Sequence, residues 1–199
     1  MKVVLASGNA GKLRELGALL APLHLELVTQ AGLGIEPAAE TGCTFVENAL
    51  IKARHASEQS GLPAIADDSG ISVAALSGAP GVRSARFAGA RASDADNNAK
   101  LLALLAGATD RRAHFCCVMV YLRHPEDPMP IIATGRWHGE IARTPRGGSG
   151  FGYDPCFFLP ELSCTAAELP QERKNRISHR GLASAALVSQ LAAEFEPDT

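Results

Sequence analysis

No apolar run in this 199-residue chain approaches the ~20 residues that a membrane helix requires. The apolar stretch from Lys2 to Ala6 is also too short for a secretory leader, so no membrane or secretory address is expected. Neither sign of charge dominates: 19 Lys and Arg against 21 Asp and Glu leave a net charge of −2. That balance argues against broad counterion-driven binding to a nucleic-acid backbone and confines any phosphate recognition to a local site. The five cysteines, Cys43, Cys116, Cys117, Cys156 and Cys164, form an odd set without metal-knuckle spacing. Reduced packing thiols in a cytoplasmic protein are expected. Internal repeats, low-complexity tracts and linkers are all missing, so one domain over residues 1–199 is expected.

What is present suffices for a folded core: 46% hydrophobic and 20% charged residues at 20.8 kDa. Val3 to Ala6 reads as a buried strand, broken by the glycines of Ser7-Gly8-Asn9-Ala10-Gly11 before leucines take up helical spacing from Leu13 to Leu20. Leu25 to Val28 reads as a second strand. After a Gly- and Pro-punctuated loop carrying Glu40, Thr44 and Glu47 match a capping box ahead of a helix from Phe45 to Ser57. Pro63 to Ala66 is a brief apolar run, which puts Asp67 and Asp68 at the exit of a strand. Ser93 caps a helix through Leu105, His114 to Leu122 and Ile131 to Ile141 read as sheet strands, and a last helix covers Leu182 to Phe195. Strands and helices interleave, which gives an α/β class.

Three segments offer chemistry. In Ser7-Gly8-Asn9-Ala10-Gly11-Lys12 the glycines free backbone N–H groups for phosphate oxygens and Lys12 adds a charge. It is not the Walker pattern, because Leu13 stands where the metal-binding hydroxyl belongs. Asp67, Asp68 and Glu40 supply hard oxygens of the kind Mg²⁺ shares with substrate phosphates, and a carboxylate beside such a metal can orient or deprotonate water. Phe151-Gly152-Tyr153-Asp154-Pro155 and Ser178-His179-Arg180-Gly181 combine aromatic faces for stacking on a base with groups that hydrogen-bond its edge. Read singly, each also fits an ordinary turn with solvated or capping side chains.

Taken together and in order, Ser7 to Lys12, Glu40-Thr41-Gly42 with Phe45 to Ala49, Ala66 to Gly70, Phe151 to Pro155 and Ser178 to Gly181 resemble the inosine triphosphate pyrophosphatase family. The bacterial dITP/XTP pyrophosphatase branch is the nearest match. The resemblance runs from Val3 to the last helix. It implies an elongated mixed β-sheet flanked by helices, with two lobes enclosing a nucleotide cleft, and a homodimer. The implied activity is Mg²⁺-dependent hydrolysis of the α–β bond of ITP, dITP, XTP and dXTP to monophosphate and pyrophosphate, which cleanses the nucleotide pool.

By that resemblance Asp68 accepts the proton of the attacking water and binds metal with Glu40. Ser7, Gly8, Asn9, Ala10, Gly11 and Lys12 hold the triphosphate, and Ser69, Phe151, Gly152, Tyr153, Asp154, Lys174, His179 and Arg180 complete the nucleotide contacts. Lys52 and Arg86 fall in family-like segments, as phosphate-facing charges or as surface and interface residues, and stay outside this list. Ala39 departs from the relatives, which often place a second acid before Glu40; the carboxylates left to act with Glu40 are Asp68 and, as an open alternative, Asp67. Two other readings remain beside the leading one: a pyrophosphatase of other nucleoside triphosphates, and a non-catalytic nucleotide sensor.

Overall fold

The computed structural model describes residues 1–7 and 10–195. Seven strands form one mixed sheet: β1 (Lys2–Leu5), β2 (Glu26–Thr29), β3 (Ala64–Val73), β4 (Arg112–Leu122), β5 (Ile131–Ile141), β6 (Phe157–Leu159) and β7 (Cys164–Thr165). The strand order is β2-β1-β3-β4-β5-β6-β7. Five helices accompany them: α1 (Ala10–Leu20), α2 (Phe45–Ser60), α3 (Asp94–Leu104), α4 (Gln171–Ile177) and α5 (His179–Phe195). The α/β class and the mixed sheet expected from the sequence are therefore present. The chain divides into two compact units whose boundaries fall inside β3, β4, β5 and α5.

The first unit comprises Met1–Asp68, Cys117–Gly135 and the chain from Leu182. Here β1 pairs in parallel with β2 on one side and β3 on the other. Parallel neighbours require crossover connections, and α1 and the longer segment through α2 supply them. The order β2-β1-β3 reverses direction at β1, the place where open α/β sheets bind ligands beyond the carboxyl ends of their strands. Val3, Leu5, Leu16, Leu20 and Ile65 pack with Cys117, Met119, Tyr121, Leu187 and Leu191 as its core.

The second unit comprises Ser69–Cys116 and Arg136–Gly181. Its β5, β6 and β7 are antiparallel, with Glu140 opposite Phe158 and Leu159 opposite Cys164. Ile71, Leu101, Leu105, Phe115, Trp137, Tyr153 and Phe157 form a separate core. Aromatic rings dominate it, with Phe115 edge-on to Phe157 at a centroid distance of 4.7 Å.

Two local expectations need correction. The strand predicted to end at Ala66 continues through Asp67, Asp68 and Ser69 to Val73, so the carboxylates sit within β3 rather than at its exit. The last helix begins at His179, three residues before the expected Leu182, because the Ser178 hydroxyl accepts the Gly181 N–H at 3.2 Å and caps it. The capping box of Thr44 and Glu47 forms as expected, and Ser93 caps α3 with Asp96. Cys116, Cys117 and Cys156 are buried packing residues, whereas Cys43 is exposed.

Candidate active site

In the first unit the site is assembled by β3 and α2. Strand alternation turns Asp68 to one face and Asp67 and Ser69 to the other. Leu5 is paired with Ile65, so the chain leaving β1 at Ser7 runs beside the acidic pair two residues further along β3. Asp68 meets two side chains one helical turn apart on α2. Asn48 Nδ2 donates to Asp68 Oδ2 at 3.3 Å, and Lys52 Nζ reaches Asp68 Oδ1 at 3.1 Å. The same ammonium lies 2.9 Å from Glu40 Oε1. Two carboxylates thus share one cation position.

Two further contacts bring the Glu40 loop to that position. Asn48 Oδ1 accepts the Gly42 N–H at 2.8 Å, and a Cβ at residue 42 would press to within 2.6 Å of Glu47 Cβ, so the close approach needs glycine. His55 Nε2 lies 2.8 Å from the Glu36 carbonyl and pins the start of the loop to α2. The capping box fixes the helix itself, with the Thr44 hydroxyl accepting the Glu47 N–H at 3.3 Å.

Burial pushes the Asp68 carboxyl above the usual carboxylate range, the nearby Glu40 charge adds to this, and Lys52 and Asn48 oppose it. For Lys52, burial alone disfavours the ammonium, yet the hydrogen bond it donates to Glu40 and the charges of both acids leave its pKa raised. A proton-accepting carboxylate held beside a persistent cation is what water activation requires.

Among the described residues no group of three or more His, Cys, Asp or Glu side chains converges as a metal site. The protein's share is therefore the pair that already meets at one cation, Glu40 and Asp68. Two carboxylates with room for waters and phosphate oxygens fit Mg²⁺, which dehydrates reluctantly.

The second unit carries the remaining predicted contacts. Asp154 and Lys174 form a tight buried ion pair, Oδ2 to Nζ. Asp154 Oδ2 also accepts the Phe151 N–H at 2.8 Å. Gly150 (φ +84°) lies directly over the pair, where a Cβ would collide with the carboxylate. The Phe151 ring is 63% exposed, and its face is approached by Lys174 Nζ at 5.0 Å and Arg180 Cζ at 5.8 Å from the centroid. A solvent-facing aromatic flanked by two cations is a ready stacking surface. His179 is buried, stacked on Phe115 at 4.7 Å with 10° between the planes. Gly181 lets α5 start against the end of α4, since a Cβ there would overlap the Asn175 carbonyl.

Thus Glu40 and Asp68 come together in the first unit, and Phe151, Asp154, Lys174 and Arg180 in the second, whereas the Tyr153 hydroxyl turns to the Ser84 carbonyl, Gly152 is held by α3 and His179 stacks on Phe115. Ser69 follows Asp68 in β3 and is half-buried. Gly8 and Asn9, and the side chains of Ala10, Gly11 and Lys12, lie outside the described residues. Asn48 was missed in the sequence, although a polar residue spaced four before Lys52 on an amphipathic helix was the available signal. Lys52 was noticed but set aside; its two acid partners now place it at the centre.

With this geometry in view, the match to known proteins is informative. A model of the Ham1 family matches residues 3–190. The chain belongs to the Ham1 family. A Nitrosomonas europaea relative, named dITP/XTP pyrophosphatase, is 61% identical over 191 residues, covering 96% of this chain and 94% of the relative. A HAM1 protein structure from Coxiella burnetii superposes with a TM-score of 0.95 at 50% identity, covering 97% of this chain and 99% of the other. A Mycobacterium abscessus structure, described as a nucleoside-triphosphatase / dITP/XTP pyrophosphatase, gives a TM-score of 0.80 at 42% identity, covering 99% of this chain and all of the other. The resemblance read from the five segments is borne out by these Ham1 relatives.

Proposed function

We propose that the chain is a Mg²⁺-dependent pyrophosphatase of deaminated purine nucleoside triphosphates, acting on dITP, ITP, XTP and dXTP. The observation that carries this reading is the shared cation position of Glu40 and Asp68. In this reading Glu40, Asp68 and the Ser7–Lys12 loop handle metal and phosphates, and Phe151 with its neighbours handles the base. Mg²⁺ bound by Glu40, Asp68 and substrate oxygens would neutralise the triphosphate and the charge that develops on the leaving pyrophosphate. Asp68 orients a water molecule and takes its proton as the water oxygen bonds to phosphorus and the α–β anhydride bond breaks. Lys52 and the Ser7–Lys12 loop supply positive charge and N–H donors to the phosphates, with Ser69 as a further substrate contact.

Selectivity follows from the 6-keto oxygen of hypoxanthine and xanthine, an acceptor where adenine presents an amino donor. His179, Arg180 and backbone N–H groups supply donors to it, while Phe151 stacks on the ring. Guanine shares the 6-keto group, so its exclusion works through its 2-amino substituent. The two units are lobes of one domain, since each is assembled from discontinuous segments. The enzyme acts as a cytoplasmic homodimer, and no helix of the described residues is long and apolar enough to cross a membrane.

Incubation with dITP, XTP and dGTP in Mg²⁺ tests the reading. Pyrophosphate should appear from the first two in preference to the third, and chelation should abolish it until Mg²⁺ is restored. Orthophosphate as first product, or tight binding of Mg·dITP without any product, would overturn it.

A further inference from the structure

The stacking residue Phe151 has little side-chain packing to hold it, being 63% exposed, so its presentation depends on how its backbone is anchored. One anchor is the Asp154 carboxylate on the Phe151 N–H, and two more come from α3. Gly152 donates its N–H to Asp94 Oδ2 at 2.6 Å, and its carbonyl accepts Asn98 Nδ2 at 2.8 Å. Both polar groups of a single residue are therefore held by two side chains one turn apart on one helix. Gly152 stands at φ +60°, a left-handed conformation that turns this residue toward α3.

Neither side chain is needed to cap α3. Ser93 and Asp96 form that capping box, which leaves the Asp94 carboxylate for Gly152. Asn98 is buried at 8% exposure, and its Oδ1 has no hydrogen-bond partner among the described residues. A buried acceptor left unsatisfied is costly. The benefit of this side chain lies in its NH₂, which donates to the Asp94 and Gly152 carbonyls. Its neighbour Asn97 fastens a different segment, accepting the Ala88 N–H at 2.8 Å and donating to the Ala85 carbonyl at 3.2 Å. Tyr153 is tied in turn, its hydroxyl donating to the Ser84 carbonyl at 2.8 Å.

We infer that Asp94 and Asn98 are positioning residues for base recognition, clamping Gly152 through the peptide groups on either side of it so that Phe151 presents its ring to the purine. The inference rests on the proposed role of the Phe151 to Asp154 segment as the base contact. Neither clamp residue touches substrate; they act through Gly152. Loss of the clamp should weaken nucleotide binding through the base and leave the phosphate chemistry in place.

Steady-state kinetics with dITP, together with inhibition by inorganic tripolyphosphate, which has no base, test it. Asp94→Ala should raise KM for dITP about tenfold, the scale of one hydrogen bond to a charged acceptor. Its kcat and the tripolyphosphate inhibition constant should stay within about twofold, a split that general destabilisation would not produce. Asp94→Asn, whose amide oxygen still accepts from Gly152, should recover most of the loss. Asn98→Ala should raise KM on its own and combine less than additively with Asp94→Ala, because both hold one residue, Gly152. Phe151→Ala serves as the control. If it raises KM while neither clamp variant does, the inference fails and the base-contact reading survives. If Phe151→Ala leaves KM unchanged, the base-contact reading itself fails. Clamp variants that lower kcat at unchanged KM would also overturn the inference.

Discussion

Each unit holds a lysine against carboxylates in partial or complete burial, and the arithmetic of charge differs. Lys52 is shared between Glu40 and Asp68, with side chains 16%, 30% and 11% exposed. There two carboxylates meet one ammonium and stay within reach of water. Lys174 and Asp154 are matched one to one at 9% and 3% exposure. The sealed pair has no charge to spare. Its effect is to fix geometry: the Asp154 carboxylate also receives the Phe151 N–H, and the Lys174 ammonium lies over the ring of the same residue. In the proposed function the cluster with two carboxylates carries the chemistry and the one-to-one pair holds the recognition segment.

The largest effect should come from disturbing the unbalanced cluster. Asp68→Asn, nearly isosteric but a poor proton acceptor, should cut kcat by roughly 10²- to 10⁴-fold, the usual worth of a general base, in rapid-quench assays of pyrophosphate release. Breaking the balanced pair should register first as stability. Lys174→Met leaves the Asp154 carboxylate buried and uncompensated, which costs about 3 kcal/mol or more. Calorimetry should show a melting temperature lower by roughly 10 °C, and adding Asp154→Leu should restore much of it. A Lys174→Met variant as stable as the parent would remove the distinction between the clusters.

The smallest effect is a shift in pH dependence. Lys52 is one of the influences that hold the Asp68 carboxyl down against burial and the Glu40 charge. With Lys52→Met its downward pull is lost while burial and the Glu40 charge remain, and the folded-state pKa of Asp68 moves further up. The carboxylate form then populates only at higher pH, so the acid limb of kcat/KM should move upward. A limb that stays in place or moves down would show that Lys52 does not act on Asp68.

Much of this organisation was legible in the sequence where chemistry is local. The box of Thr44 and Glu47, the Ser93 cap and the strand from Ile131 to Ile141 need only neighbouring residues to be recognised. The continuation of β3 through Asp67 and Asp68 was not legible, because aspartate disfavours strands. Its partners Lys52 and Asn48, 16 and 20 residues away, override that preference. The start of α5 at His179 was hidden for a similar reason. His-Arg-Gly is a poor helix opening, rescued by the Ser178 cap and by a glycine that fits beneath the Asn175 carbonyl. In the candidate site, residue types that bind ligands were visible as motifs, whereas those that hold them in place, Asn48, Asp94 and Asn98, were not. A four-residue spacing on a helix identifies such side chains only once the opposing loop is known.

The proposed division of labour between the Asp68 cluster and the Phe151 segment is tested most directly by measuring kcat and KM for dITP in Asp68→Asn and Phe151→Ala side by side, in the same Mg²⁺ buffer. Asp68→Asn should lose turnover with KM within about threefold of the parent, and Phe151→Ala should raise KM with kcat nearly intact, the separate signatures of chemistry and of uniform binding. Both substitutions falling on the same parameter would contradict it.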